Sequence, residues 1–353
     1  MFLDKISIYG TATKLVSEPE IHHYRNAAYI PRNSGIDSVG LYDSGRKLIL
    51  YSSYSRGPDL FQSMSPMTLA CHYEDIKLKI PGTYIYVGDI HSHYGHFLLS
   101  TMSRFWPHHI FMSDLPILYL DRVGGDENWN LPHIRQILEA AGIDKRRFVK
   151  YDEPCIVENI ILPYPAFEEG NFVHQNYGSM CRRFSDKFSE NWSSPDETRP
   201  IYISKLRLKF GVRSFENEDE ICSNFENLGF EVVYPEALSL GQQFSIWKSG
   251  RTIVSFTGSA HHSQVFANRP RLITINIGEM IPSTFMMCDW VSGSDSRYIS
   301  VAEPFVTTRA GGYDEIRQSG FSALMKLSNS KAICEEVARA YEGRSRHISQ
   351  VVR

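Results

Sequence analysis

The feature that most constrains this chain is an alternation of strand-like and helix-like segments that runs, stops at a polar stretch and starts again. In the first run "TYIYVGDI" (83–90) reads as a strand, "GHFLLSTMSRFW" (95–106) as a helix and "LPILYLD" (115–121) as a strand. "LPHIRQILEAAG" (131–142) is a helix by its signals: Pro132 in the first turn, where a missing N–H costs nothing, and Gly142 at the end. "RFVKY" (147–151) and "CIVENIILP" (155–163) are strands, and 174–192 is a helix. After the linker-like "SSPDETRP" (193–200) the pattern resumes. Strands are expected at 201–205, 230–236, 251–258 and 271–276, with helices at 217–230, 239–250 and, briefly, 259–267. Strands that alternate with helices pair in parallel, because each return to the sheet needs a crossover. The expectation is therefore two Rossmann-like α/β domains.

Outside these runs the reading is thinner. "KLILYSSYS" (47–55) looks like a strand, and residues from about Asp314 onward have helical apolar spacing through Ile316, Phe321, Leu324, Met325, Leu327, Ile333 and Val337. The chain of 353 residues is too long for one ordinary core. The boundaries that follow are 1–192, 193–310 and a helical tail over 311–353.

Composition excludes several classes. Hydrophobic residues at 42% and charged residues at 22% fit a globular chain, and a net charge of -3 gives no whole-chain case for nucleic acid. The N-terminus lacks the apolar run of a signal peptide, and no stretch approaches the roughly 20 apolar residues of a membrane span. Cytoplasmic residence is the expectation. The six cysteines include no CxxC pair and read as reduced thiols.

Chemistry concentrates in three places. The first is "GDIHSHYGHF", which holds His91, His93 and His96. His91 and His93 alternate on an extended segment and so could face one ion, as in the HxH of amidohydrolase-type and PHP-type metal-dependent hydrolases. That motif normally opens a barrel, whereas more than 80 residues precede this one, and a turn or substrate-contact role is the plainer reading. His96 stands at a helix start, whose partial positive charge disfavours imidazolium. It is either a neutral base or a cap of its own helix. The second place is "SFTGSAHHSQVF" (255–266), where a strand ends in the small residues Gly258, Ser259 and Ala260 before a helix starts. Such a turn can admit an anion or be only a tight turn. The third is "ISKLRLKFGVRSFENEDEI" (203–221), which carries Ser204, Lys205, Arg207, Lys209 and Arg213 into a basic loop. Neither GxGxxG nor a P-loop occurs, which argues against a dehydrogenase or a P-loop NTPase.

Together these segments resemble glycosyltransferase family 61, of capsular polysaccharide type. The resemblance rests on "GHFLLSTMSRFW", on "YISKLRLKFGVRSFENEDEICSNFENLGFEVVYPEALSLGQQFSIWKSG" and on "IVSFTGSAHHSQVFA", and so covers roughly 85–105 and 200–270. Departures are Ser100 for the usual Asp, Lys205 for Arg, Gln242 where Glu precedes Gln243, Thr257 for His, and His261 and Ser263 for Leu and Asn. The resemblance implies a GT-B fold, two Rossmann-like domains facing a cleft, with the tail packing back across them. It implies an inverting transfer without bound metal or other cofactor, from a nucleotide-sugar to a hydroxyl of a glycan or lipid-linked glycan, in surface polysaccharide synthesis at the inner face of the membrane.

On that footing His96 is the base, the more so with Ser100 in place of an acid, and Asp89 is the next candidate. His91 and His93 line the acceptor side. Ser204, Lys205, Arg207, Gly258, Ser259 and Ala260 hold the donor, while Glu218 and Gln243 contact the nucleoside or brace the loop. A metal-dependent hydrolase and an inactive sugar-binding partner are the competing expectations.

Overall fold

The computed structural model describes residues 7–32, 34–57, 65–121, 125–188, 190–194, 196–208, 211–301, 306–308 and 321–343. Lys209, Ile316 and the span 311–320 lie outside them, and Arg213 is described only as backbone. The described residues fall into two compact units, one within Tyr9–Phe188 and Pro282–Val291, the other within Met1–Ile8, Ser189–Ile281 and Ser292–Arg353. Both are α/β.

The first unit is built on a six-stranded sheet. Its strands are β1 (Ile21–Ile30), β2 (Gly40–Tyr42), β3 (Leu78–Asp89), β4 (Ile117–Leu120), β5 (Phe148–Val149) and β6 (Cys155–Pro163). The order is β2-β1-β6-β3-β4-β5. β6, β3, β4 and β5 run parallel, as the alternation requires, whereas β1 and β2 add an antiparallel edge. Residues 47–55 are not a strand: only isolated bridges at Lys47 and Leu48 occur there, and the antiparallel edge comes from β1 instead. β1 is hard to see in sequence because only its second half, Ala27–Ile30, is buried, and Asn26 bends it at φ 50°.

Three helices of this unit follow strands of the sheet in the chain. Helix α1 spans 94–104 and changes pitch: α-helical at Tyr94–His96, π at Phe97–Thr101 and 3-10 at Met102–Arg104. Helix α2 (Pro132–Ala141) has Pro132 in its first turn and ends on Gly142 at φ 74°, the left-handed cap its sequence predicts. Helix α3 (Asn176–Ser185) is shorter than the expected 174–192. Gly178 of α3 lies against the Val291 carbonyl at the end of the helix Ser283–Ser292, so close that a Cβ would collide with it.

The second unit contains β7 (Ile201–Ile203), β8 (Gly211–Phe215), α4 (Glu218–Asn227), β9 (Glu231–Val233), α5 (Leu240–Lys248), β10 (Thr252–Phe256), β11 (Arg271–Ile277) and β12 (Asp295–Val301). Beyond these come β13 (Val306–Thr308), β14 (Phe321–Lys326) and α6 (Ser330–Glu342). Its main sheet has the order β9-β7-β10-β11-β12 and is parallel throughout. Both faces are covered, which is why these strands read as continuous apolar runs. Tyr202, Val254 and Ile273 join the core with α4 and α6, while Ile201, Ile203, Ile253 and Leu272 pack with Ile246 and Trp247 of α5. Helix α5 starts with a capping box: Ser239 Oγ accepts from the Gln242 N–H and Gln242 Oε1 accepts from the Ser239 N–H.

The tail differs from its expected helical form. Residues 321–326 form β14, parallel to β8, and only 330–342 is helix. Val337 and Ile333 of α6 are buried in the core of the second unit. Over so short a stretch a period of two and a helical stripe of apolar residues share several positions.

Candidate functional site

In the first unit the site is built where β3 ends and α1 begins. Gly88, at φ 72°, and a register shift between Tyr86 and Asp89 bend the end of β3. Thr101 of α1 ties the bend down: its Oγ1 donates to the Asp89 carbonyl at 2.9 Å and accepts from the His91 N–H at 3.1 Å. The π turn widens α1 just here, between His96 and Ser100.

The three histidines of this bend converge. The ring centroid of His96 is 5.5 Å from that of His91 and 5.0 Å from that of His93. They are not equivalent. His91 is buried, edge-on to Tyr54 at 4.7 Å. Burial, and then the neighbouring His96, holds the His93 imidazole below its usual range. His96 keeps 30% of its side chain exposed, so a solute can reach its ring. Among the described residues, no group of three or more His, Cys, Asp or Glu is arranged to hold a metal ion.

His96 is not a cap of its own helix. His93 occupies the N-cap position, and the His96 ring turns toward a carboxylate that sequence reasoning missed. Glu169 Oε1 lies 2.6 Å from His96 Nδ1. Glu169 also accepts from Ser100 Oγ at 3.3 Å and Tyr54 Oη at 3.4 Å, and its Oε2 is 3.7 Å from Arg56 Nε. Nothing in the turn sequence Glu168-Glu169-Gly170 points 73 residues back to His96.

Asp89 is placed differently from the expectation of a reserve base. Its side chain is 1% exposed and its Oδ1 accepts from Arg32 Nη2 at 2.5 Å and Nε at 3.2 Å. Asp89, His91 and Ser100 line one pocket with Tyr54, Arg104 and Glu168. Arg104 is buried, and desolvation draws its guanidinium down to about 10; its Nη1 donates to the Pro163 carbonyl at 3.0 Å.

In the second unit the predicted residues gather at the C-terminal ends of β7 and β10. Numbered within this five-stranded sheet, the order is 2-1-3-4-5, and in such sheets ligands bind outside the strand ends where the order reverses, between the first and third strands. β7 and β10 are those strands. Lys205, just past β7, leans over the turn after β10: its Nζ donates to the Thr257 carbonyl at 3.3 Å and sits 3.1 Å from where a Cβ on Gly258 would be. Ser259 and Ala260 are half-buried and open a 3-10 helix, Ser259–Phe266, rather than an α-helix. Arg207 is exposed and its guanidinium lies 4.0 Å over the Tyr234 ring, a partner not anticipated from sequence.

Of the other predicted donor residues, Ser204 and Glu218 are buried and Gln243 is half-buried. Glu218 is 1% exposed and accepts from Tyr202 Oη at 2.8 Å, Ser204 Oγ at 2.9 Å and the Lys205 N–H at 2.9 Å. Burial raises its carboxyl above the usual range against those hydrogen bonds. Gln243 Nε2 donates to the Pro235 carbonyl at 2.9 Å and the Leu238 carbonyl at 3.3 Å. Of the two roles expected for this pair, the geometry is that of bracing loops. His261 is buried between Ser255 Oγ at 2.7 Å and Thr274 Oγ1 at 3.2 Å, and burial drives its imidazole down to about 3, so it stays neutral.

Fold and sites define an α/β protein with a reachable imidazole on a buried carboxylate in one unit and a lysine over a glycine turn at a parallel-sheet switch point in the other. The glycosyltransferase 61 family model matches residues 94–274, just over half of the 353 residues, from the first turn of α1 to the middle of β11. The chain belongs to that family, and its class of activity is glycosyl transfer. No curated protein matches it. No helix among the described residues is long and apolar enough to cross a membrane.

Proposed function

We propose that the chain is an inverting GT-B glycosyltransferase that moves a sugar from a nucleotide-sugar to a hydroxyl of a glycan or lipid-linked glycan, without a metal ion. The second unit takes the donor and the first the acceptor. The observation that carries the donor assignment is Lys205 over the Thr257–Gly258 turn at the ends of β7 and β10. A diphosphate needs a cation and close backbone approach, and the smallest residue allows both there.

The acceptor assignment rests on the exposed edge of His96. In the reaction Nε2 of His96 takes the proton of the acceptor hydroxyl while its oxygen attacks the anomeric carbon. The bond from that carbon to the diphosphate breaks in the same displacement, and the nucleoside diphosphate departs with its electron pair. One displacement inverts the anomeric centre. Lys205 and Arg207 meet the charge that develops on the leaving group.

The surroundings of the reaction are part of the same proposal: a cytoplasmic protein in capsular or other surface polysaccharide synthesis, at the inner face of a membrane. A thermal-shift screen of nucleoside diphosphates and nucleotide-sugars, followed by transfer assays with those that bind, tests it, since a ligand of the native state raises apparent stability. Transfer with inversion at the anomeric carbon is the expected result. Donors that bind but never transfer would leave an inactive sugar-binding protein instead.

A further inference from the structure

We propose that Glu169 is the positioning residue of His96, fixing its tautomer and stabilising its protonated form; this rests on His96 being the base. Glu169 follows the short strand Phe167–Glu168 and precedes Gly170, whose φ of 72° turns the chain back. The Gly170 N–H donates to Thr284 Oγ1 at 3.2 Å, which anchors the turn to the helix Ser283–Ser292. The carboxylate so placed is 3% exposed.

Glu169 Oε1 collects the Ser100 and Tyr54 hydroxyls at 3.3 and 3.4 Å, and the shortest of its contacts, 2.6 Å, goes to His96 Nδ1. A carboxylate only accepts, so Nδ1 carries the proton and Nε2 holds the lone pair. Carboxylate–imidazole pairs of this kind select the tautomer that presents a base, and the carboxylate then offsets the charge the ring gains. Ser100 and Tyr54 hold Glu169 from two further directions, so its position does not depend on His96 alone.

Among the described residues, the charged and titratable groups facing His96 are few. Glu169 and the Tyr54 hydroxyl lie at Nδ1, the latter at 3.4 Å. The His91 and His93 rings stand at 5.5 and 5.0 Å, and Arg56 lies on the far side of Glu169. Glu169 is the one carboxylate among these contacts, so its removal must lower the proton affinity of His96. The acid limb of the pH–rate profile then moves to lower pH, a shift that mere loosening of the loop does not produce.

Two measurements test this. In Glu169→Gln, kcat should fall about 10²–10⁴-fold with donor KM nearly unchanged, and the acid limb should move down in pH. Glu169→Asp, which keeps the charge, should return the limb toward its original position. Separately, nitrogen-15 NMR of the histidines, assigned through His96→Gln, should show His96 protonated at Nδ1 in the native protein and titrating lower in Glu169→Gln. An unchanged His96 titration and tautomer in folded Glu169→Gln would overturn the inference. If the NMR shift is present but the native protein transfers no sugar, the positioning stands and the glycosyl-transfer reading of His96 fails.

Discussion

Lys205 and Gly258 stand on adjacent strand ends and fit one another: Nζ and Cε lie 3.1 and 3.5 Å from the point where a Cβ on Gly258 would be. The backbone there is extended, so the constraint is space, not conformation. Lys205→Met should weaken nucleoside-diphosphate binding by about 1.5–3 kcal/mol, the scale of a hydrogen bond to a charged group. Gly258→Val should have a comparable effect by pushing the ammonium aside. Calorimetric titration with nucleoside diphosphates checks both, and full affinity in the two folded variants would move the diphosphate elsewhere.

Arg207 gives a sharper chemical test because its guanidinium lies 4.0 Å over the Tyr234 ring. Arg207→Ala should cost about 1.5–3 kcal/mol in the same titration. Arg207→Lys keeps the charge but not the planar guanidinium, and should fall between Arg207→Ala and the native protein. Equal affinity of Arg207→Ala and the native protein would remove this residue from the donor site.

How much of this was legible depends on the kind of signal. The parallel sheet of the second unit was visible because strands buried on both faces, such as Thr252–Phe256, cannot avoid apolar runs. Lys205 and Gly258 were visible as candidates because strand-end loops carry polar and small residues, and parallel pairing brings the ends of β7 and β10 together. β1 was not, because a half-exposed edge strand bent at Asn26 has no clean period. Glu169 was not, because a contact across 73 residues between a turn and a helix leaves no local pattern. The resemblance marked Ser100 as missing an acid; the structure places the Glu169 carboxylate against that very hydroxyl.

The buried imidazole of His261 sets an acid sensitivity on the second unit. Freed by unfolding, it binds a proton near pH 6.5, while the fold holds it down to about 3. Between these values the unfolded chain takes up a proton that the native chain refuses. Stability from this group is therefore complete above the unfolded value and is lost as pH falls through that window. His133, held down to about 4 by burial, adds a loss of the same sign in the first unit. His261→Gln should be less stable than native at about pH 7.5 by roughly 1–3 kcal/mol, for lost hydrogen bonds to Ser255 and Thr274. It should then lose less on going to about pH 5. Urea unfolding at the two pH values decides it; parallel losses in both proteins would show that His261 does not control the response.

Gly178 tests packing apart from chemistry. It lies inside helix α3, where glycine costs about 1 kcal/mol relative to alanine, yet a methyl there collides with the Val291 carbonyl. The clash should win, so Gly178→Ala should destabilise by about 1–3 kcal/mol, the range for overpacking. Chemical denaturation measures it, and a gain in stability would mean that the helix Ser283–Ser292 yields without cost.

The histidines of "HSHYGHF" differ in what they can touch, and that difference orders their variants. His96 alone of the three combines a partly exposed ring with a carboxylate at Nδ1, whereas His91 is buried. His96→Ala should therefore lower kcat by about 10²–10⁴-fold, the usual contribution of a general base, with nucleoside-diphosphate affinity close to native. His93→Ala should act mainly on acceptor KM, because its ring stands beside that of His96 at 5.0 Å. Asp89→Asn should cost stability through the lost Arg32 ion pair more than it costs chemistry, since its side chain is buried from any sugar. Activity should survive exhaustive chelation. Steady-state kinetics of the three variants, with and without chelator, separate these outcomes. Near-normal turnover of His96→Ala would put the base on another residue, and activity that chelation abolishes and added metal restores would replace the single displacement with metal-assisted chemistry.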